Sequence, residues 1–421
     1  MSSSQTLRLV DRARYNEQKF LSIPYPTTPL APSSVRVQTK LIGLTANNLS
    51  YCRLGSVMHW WSAYPLPPYT PAPYDYDSQY GVAPAWGYCT VLQSTIEGIP
   101  PGRIIDGFLP ISSHAVDLQL RRADTMPNHY VETSPHRGQL MNLYQRYRLL
   151  PVNFDLNSSL AAWTVVFKVW EAGSSLARYV FPQDSSTPVH PFGAQVSPWT
   201  RKDADVSGAC IICIASGTKT ARAFIHQLAA IAAEKRPEYS LVEVTSGLVG
   251  CKRYLNNVPF PQKVLAYDNL VGAFAPHRKF VILDFGGRNN ALAKVADAVK
   301  QVNPSAEAVC VAIGGEAKVY DEEAMVARRA TAAKLQPVQM NATGIRDEAM
   351  KREGEPKYFQ ELDHSFETMV KQQAKDFNGR VLGVTLKAEH GLTGEAGVEG
   401  IWFKLCAGQV PGDDGMVVRL D

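Results

Sequence analysis

The chain has no apolar run near the roughly 18 residues a membrane-spanning helix needs. The longest candidate, Leu160 to Val169, is broken by Lys168 and followed by Glu171. Met1 to Arg8 are polar, so no signal peptide is expected and the expected location is cytoplasmic. Charge of one sign is lacking too. The 43 Lys and Arg against 39 Asp and Glu leave a net charge of +4 across 421 residues. So weak and dispersed a balance argues against nucleic acid and anionic membranes as partners. No internal repeat, low-complexity tract or G-x-S-x-G elbow occurs, and the last absence disfavours a serine hydrolase.

Cysteine is sparse, with seven in all, an odd number that fits a reducing compartment. Cys52, Cys89, Cys251, Cys310 and Cys406 are scattered. Only Cys210 and Cys213 have C-x-x-C spacing, inside the apolar run Ala209 to Ala215. That run reads as a buried strand, where residues three apart face opposite sides. Packing, rather than zinc or redox chemistry, is the expected role.

What is present suits a folded enzyme-sized chain. Hydrophobic residues make up 45% and charged residues 19%, enough for a sizeable core and two or three domains. The first half carries strand and turn signals at Val35 to Leu44, Tyr88 to Ser94 and Arg103 to Pro110. Tyr64 to Tyr80 is dense in Pro, Tyr and Asp and reads as an ordered loop or lid. Leu160 to Tyr179 has helical composition, and Phe181 to Asp205 reads as a connector. Strands and helices then alternate: Cys210 to Ala215, helix Thr218 to Lys235, Leu241 to Val244, Lys279 to Asp284, helix Ala291 to Val302, Ala308 to Ile313. Such alternation predicts a parallel sheet with right-handed crossovers. Glu322 to Lys334 and Tyr358 to Phe377 read as helices joined by a surface loop, and Gly400 to Leu405 as a last strand.

A dinucleotide fold seats pyrophosphate at the first helix's amino end, normally over a G-x-G-x-x-G turn. Here the turn is Ala215-Ser216-Gly217-Thr218-Lys219-Thr220, with one glycine. Ser216, Thr218 and Thr220 offer hydroxyls and Lys219 a charge; the same residues also read as an ordinary helix cap with a solvated lysine. After the second strand come Thr245, Ser246, Lys252 and Arg253, with Glu243 inside the strand and no carboxylate at its tip. Hydroxyls and cations suit the extra phosphate of NADP(H), although Lys252 and Arg253 also read as a solvated helix face.

At this point the residues resemble the medium-chain dehydrogenase/reductase superfamily, in particular its zinc-free quinone-oxidoreductase branch. Ile42 to Gly55 is similar to that family's G-x-N-x-x-D-x-x-x-R-x-G segment, and Ile99 to Phe108 to its V-x-x-G-D-R-V-x-G turn. Pro84-Ala-Trp-Gly87 with Thr90-Val91, Phe280 to Gly287 and Ala312-Ile-Gly-Gly315 resemble further family segments, in the family's order. Asn47-Asn48-x-x-Tyr51, Pro84 to Tyr88 and His136-Arg137 before Tyr144-x-x-Tyr147 resemble a subgroup of fungal and bacterial proteins. Several fungal members look like accessory proteins of secondary-metabolite pathways. The Gly-His-Glu and four-cysteine lobe of zinc-dependent members are absent, so no metal is expected.

The resemblance implies an α/β chain: a GroES-like, mostly-β substrate domain over 1–165, a Rossmann-type doubly wound domain over 166–340, and a return to the substrate domain over 341–421. It implies NADP(H) as cofactor, with Gly286 and Gly314 beside it, a small apolar or aromatic substrate, and a homodimer. Tyr51 and Asn48 are the candidate catalytic pair, for proton delivery and for holding a carbonyl; a core aromatic and a turn-stabilising amide are the alternatives. Trp86, Tyr88, Asn47 and His59 are candidate substrate contacts. Three activities remain open: an NADP(H)-dependent reductase of an enone, enoyl or quinone-like metabolite; a cofactor-independent cyclase, isomerase or lyase on the same fold; and a non-catalytic pathway partner.

Overall fold

The structure, a computed structural model, describes residues 4–183, 187–193, 198–248, 258–376 and 379–420. The first half is mostly β: β1 (Ser4–Asp11), β2 (Gln18–Pro24), β3 (Ser34–Leu44), β4 (Tyr80–Gly81), β5 (Pro84–Ser94), β6 (Ile104–Pro110), β7 (Val116–Arg122), β8 (His129–Glu132) and β9 (Arg146–Leu149). Strands β3, β5, β6, β9, β8 and β7 pair in that order, and β7 pairs back onto β3, so the sheet closes on itself. Closure removes the exposed strand edges of this ring. A small sheet β2-β1-β4 sits beside it.

The second half is a parallel sheet of β10 (Cys210–Ile214), β11 (Ser240–Val244), β12 (Gln262–Leu265), β13 (Lys279–Asp284), β14 (Glu307–Ala312) and β15 (Val338–Gln339). Its order is β12-β11-β10-β13-β14-β15, with every pair parallel. This is the Rossmann order, and the direction of winding reverses between β10 and β13. The C-x-x-C strand behaves as its pattern requires. Cys213, Ile211 and Ala215 join one core, under the helix Lys219–Ala229. Cys210, Ile212 and Ile214 join the other, under the helix Ala291–Val302.

The chain then returns to the first domain through β16 (Thr385–His390) and β17 (Asp414–Arg419), and β17 pairs antiparallel with β3. Three expectations need correction here. The segment read as a surface loop contains the helix Ala342–Glu353, whose Ile345 and Ala349 are buried in the nucleotide-domain core. Gly400 to Leu405 is helical, within Val398–Cys406, because Ile401, Trp402 and Leu405 bury one side while Phe403 stays exposed. The first crossover helix is also shorter than expected, ending at Ala229. Among the described residues, no helix is long and apolar enough to cross a membrane.

Candidate active-site cleft

The strand-to-helix turn after β10 is tight. Ala215 adopts φ 59°, the left-handed region where glycine is usual. Its amide is held by Val244 O at 2.8 Å, and its carbonyl accepts from Thr218 N at 3.0 Å. Thr218 then caps the helix, its Oγ1 accepting from Ala221 N at 3.3 Å. The buried Arg222 donates Nε to Gly217 O at 3.1 Å and pairs with Asp413. A turn with one glycine is thus held by backbone and arginine contacts.

In front of this turn lies a cleft of about 410 Å³ between the two domains. The nucleotide domain contributes Gly217, Thr218, Lys219, Thr220, Thr245, Ser246, Gly286 and Gly314, and the first domain contributes Leu44 to Asn47. Of the cofactor candidates, Ser216 alone among the described ones is behind the surface: it is buried and does not line the cleft. Lys252 and Arg253 lie outside the described residues. Glu243 is fully buried; burial pushes its carboxyl up to about 8 against the opposing effect of Ser216, so it is a neutral acid at pH 7. Among the described residues no carboxylate stands at the tip of β11, where Thr245, Ser246 and Gly247 line the cleft.

Gly286 and Gly314 have a specific reason to be glycine. The ends of β13 and β14 cross so closely that a Cβ on Gly286 would lie 2.5 Å from Gly315 O, and one on Gly314 2.7 Å from Phe285 O. Asp284 fastens this floor, its Oδ1 accepting from the amides of Gly286 at 3.0 Å and Gly287 at 2.7 Å.

Sequence reasoning missed the far wall, residues Gly408 to Asp413. Lys219 donates Nζ to Gly412 O at 3.2 Å and Asp414 O at 2.5 Å. Arg288 donates to Gly408 O at 3.1 Å. Burial, then the neighbouring Arg222, bring the Lys219 ammonium down to about 8. The Gly and Pro in this stretch were the only sequence signal, and they mark a turn without saying what it covers. Arg53, part of the Ile42 to Gly55 motif, ties the domains: it donates to Lys318 O at 2.7 Å and Glu316 O at 3.3 Å and stacks on Tyr320.

The expected catalytic and substrate residues separate into four groups. Asn47 lines the cleft. Asn48 does not: its Oδ1 accepts from Thr45 N at 2.7 Å and its Nδ2 donates to Pro84 O at 3.1 Å, a buried helix cap rather than a carbonyl binder. Tyr51 is also buried, among Trp60, Phe108 and Tyr144, and accepts from Trp86 Nε1 at 3.1 Å. Burial drives its hydroxyl up to about 12, opposed by bonding to Trp86, Tyr144 and Asn47, and it does not line the cleft. Trp86 and Tyr88 line a different cavity. His59 lines neither; it begins the short turn Trp60–Ala63 in a left-handed conformation.

Fold and cleft together define a two-domain α/β protein with an interdomain site at the carboxyl edge of a dinucleotide-type sheet. The pattern of the DUF2855 family, described as proteins of unknown function, matches residues 42–411, and the chain belongs to that family. Comparison with curated proteins gives no match. Among solved structures, the chain is similar to CurA from Vibrio vulnificus in complex with NADPH (TM-score 0.49, 11% identity, 96% of this chain and 94% of that one). It is similar also to the yhdH oxidoreductase from Salmonella enterica in complex with NADP (TM-score 0.43, 12% identity, 100% of each chain). A third likeness is to CurK enoyl reductase (TM-score 0.44, 11% identity, 96% and 95%). Likeness at this level assigns no ligand to this chain.

Proposed function

We propose that the protein is a zinc-free, NADP(H)-dependent reductase of an enone, enoyl or quinone-like metabolite. One observation carries this reading: the cleft opens where the winding of the sheet reverses, with a helix amino terminus on one side and a hydroxyl-tipped second strand on the other. The free amides at the start of Lys219–Ala229, with Thr218, Lys219 and Thr220, would hold the pyrophosphate. Thr245 and Ser246 would receive the adenosine ribose and its phosphate, with no carboxylate beside them among the described residues of the β11 tip. Bound NADPH supplies a hydride.

The chain's own share is positioning. Asn47 lines the cleft, and its amide is the group to donate to a substrate carbonyl. Tyr51 orients that amide from behind and stays protonated, so the proton returned to product comes from water entering the cleft. Leu44, Phe285 and Val410 give the walls an apolar character that strengthens such polar contacts. Titration of the purified protein with NADPH, by calorimetry or cofactor fluorescence, tests the reading. Saturable binding is expected, and none at millimolar cofactor rejects it.

A further inference from the structure

A second cavity, of about 310 Å³, shares one wall with the cleft. Val169 faces the cleft, while its neighbours Lys168 and Trp170 face this other space. Strands β5, β6 and β9 close one side and the helix Glu355–Asp376 the other.

Most charges around it answer each other. The buried Asp106 carboxylate accepts from Lys168 Nζ at 2.7 and 2.9 Å and from Arg148 Nη2 at 3.2 Å. Arg148 also reaches both oxygens of Asp363, at 2.8 and 3.0 Å. Arg146 is held by Glu355 and by His129 Nδ1.

Arg346 is answered less completely, by an ion pair with Glu171 that makes no hydrogen bond. It lines the cavity at 4% exposure, yet its Nε is buried without a hydrogen-bond partner. The nearest carboxylate oxygen, on Glu171, is 3.5 Å away and already accepts from Tyr358 Oη at 2.8 Å. No hydrogen bond of its terminal nitrogens is found among the described residues. The guanidinium instead lies 4.9 Å over the ring of Phe359, which Arg146 covers at the same distance. A charged donor such as this Nε, buried without an acceptor, is unfavourable unless a partner reaches its guanidinium. The same cavity is lined by the aromatic rings of Trp86, Tyr88, Phe154 and Phe366, beside several leucines.

We infer that this cavity binds a planar aromatic carboxylate, the carboxylate on Arg346 and the ring among Trp86, Tyr88 and Phe366. A carboxylate matches a guanidinium's paired donors, and a flat ring fits between aromatic walls. The site is separate from the cleft and stands whether or not the chain binds a dinucleotide.

The test is calorimetric titration of the full chain with trans-cinnamate and with its uncharged amide, cinnamamide, with tryptophan fluorescence as a second readout. Cinnamate should bind at least tenfold more tightly than the amide, and saturating NADPH should leave it bound. Arg346→Met should weaken cinnamate at least tenfold and leave the amide unchanged. Leu362→Trp, which fills the cavity and keeps the arginine, should weaken both, so the proposal does not depend on one variant folding. Equal affinity for acid and amide, no binding of either, displacement by NADPH, or a folded Leu362→Trp protein with unchanged cinnamate affinity would each overturn it.

Discussion

Replacing Gly286 by alanine should damage the cleft floor, and the size of the effect can be worked from two separate costs. The first is conformational. Gly286 has φ 112°, a region L side chains rarely enter, which costs about 1–3 kcal/mol. The second is steric. The added Cβ would stand 2.5 Å from Gly315 O and 2.8 Å from Gly315 C, both backbone atoms that no rotamer change can move. Forced overpacking costs about 1–3 kcal/mol, giving roughly 2–6 kcal/mol in all. The strain will not stay local, because the Cβ position of Gly315 is itself 2.8 Å from Arg53 Nη1, the tie between the domains. Gly102→Ala is the matched control. It has φ 87° with nothing within 4 Å of the new atom, so it carries only the conformational cost, about 1–2 kcal/mol. Urea denaturation followed by tryptophan fluorescence compares the two, and an NADPH titration of each reports on the cleft. Gly286→Ala should be the less stable by about 1–3 kcal/mol and bind NADPH at least tenfold more weakly; Gly102→Ala should bind normally. If the two variants are equally stable, the close crossing of β13 and β14 does not do what is claimed for it.

Lys219 gives a pH signature. Its folded value of about 8 lies below the usual 10.5, so between these limits the unfolded chain holds more protons and stability should rise with pH, while NADPH affinity falls as the ammonium is lost. Affinity measured from pH 7 to 9.5 should show that fall in the natural chain and not in Lys219→Met. Asp106→Asn leaves Lys168 and Arg148 facing each other across a neutral amide; with both cations about a quarter exposed, a loss of about 2–4 kcal/mol is expected in urea melts. Burial would raise the Asp106 carboxyl, but Lys168 and Arg148 outweigh it and hold it below 3.8, so this contribution persists at neutral pH and disappears only in stronger acid. Arg53→Met removes two carbonyl contacts and a cation–π stack, and limited proteolysis should cut the Gly315 to Tyr320 connection faster.

Much of the architecture was legible because long periodic segments state their own geometry. The helix over Ala291 to Val302 and the opposite facing of Cys210 and Cys213 both follow from pattern alone. Short apolar runs do not: Gly400 to Leu405 is too brief to separate a strand from a helix, and its helical burial at Ile401, Trp402 and Leu405 is decided by packing. The nucleotide side of the cleft was readable because turn residues after consecutive parallel strands must gather at one edge. The substrate side was not. Period-two spacing puts Trp86 and Tyr88 on one face of β5, but only the closed barrel determines that this face looks into the second cavity. Asn48 looked chemically apt, yet a helix start next to a strand end gives its amide two backbone partners to satisfy first. The pairing of Arg346 with no hydrogen-bond acceptor could not be read at all, since it depends on a helix the sequence did not reveal.

The wall at Gly408 to Asp413 has a consequence for how the protein comes into being. The cleft is bounded by Leu44 to Asn47 and by Gly408 to Asp413, far apart in sequence, and Met416 pairs with Leu44 to bring them together. Contacts of such sequence separation form late and slowly. During synthesis the six parallel strands can emerge and pair while the cleft still has no far side. A ligand of the cleft therefore cannot act as a template for folding the sheet; it can only capture a chain in which Gly408 to Asp413 have already reached Leu44, and damage to that segment leaves the sheet with nothing to close over its edge.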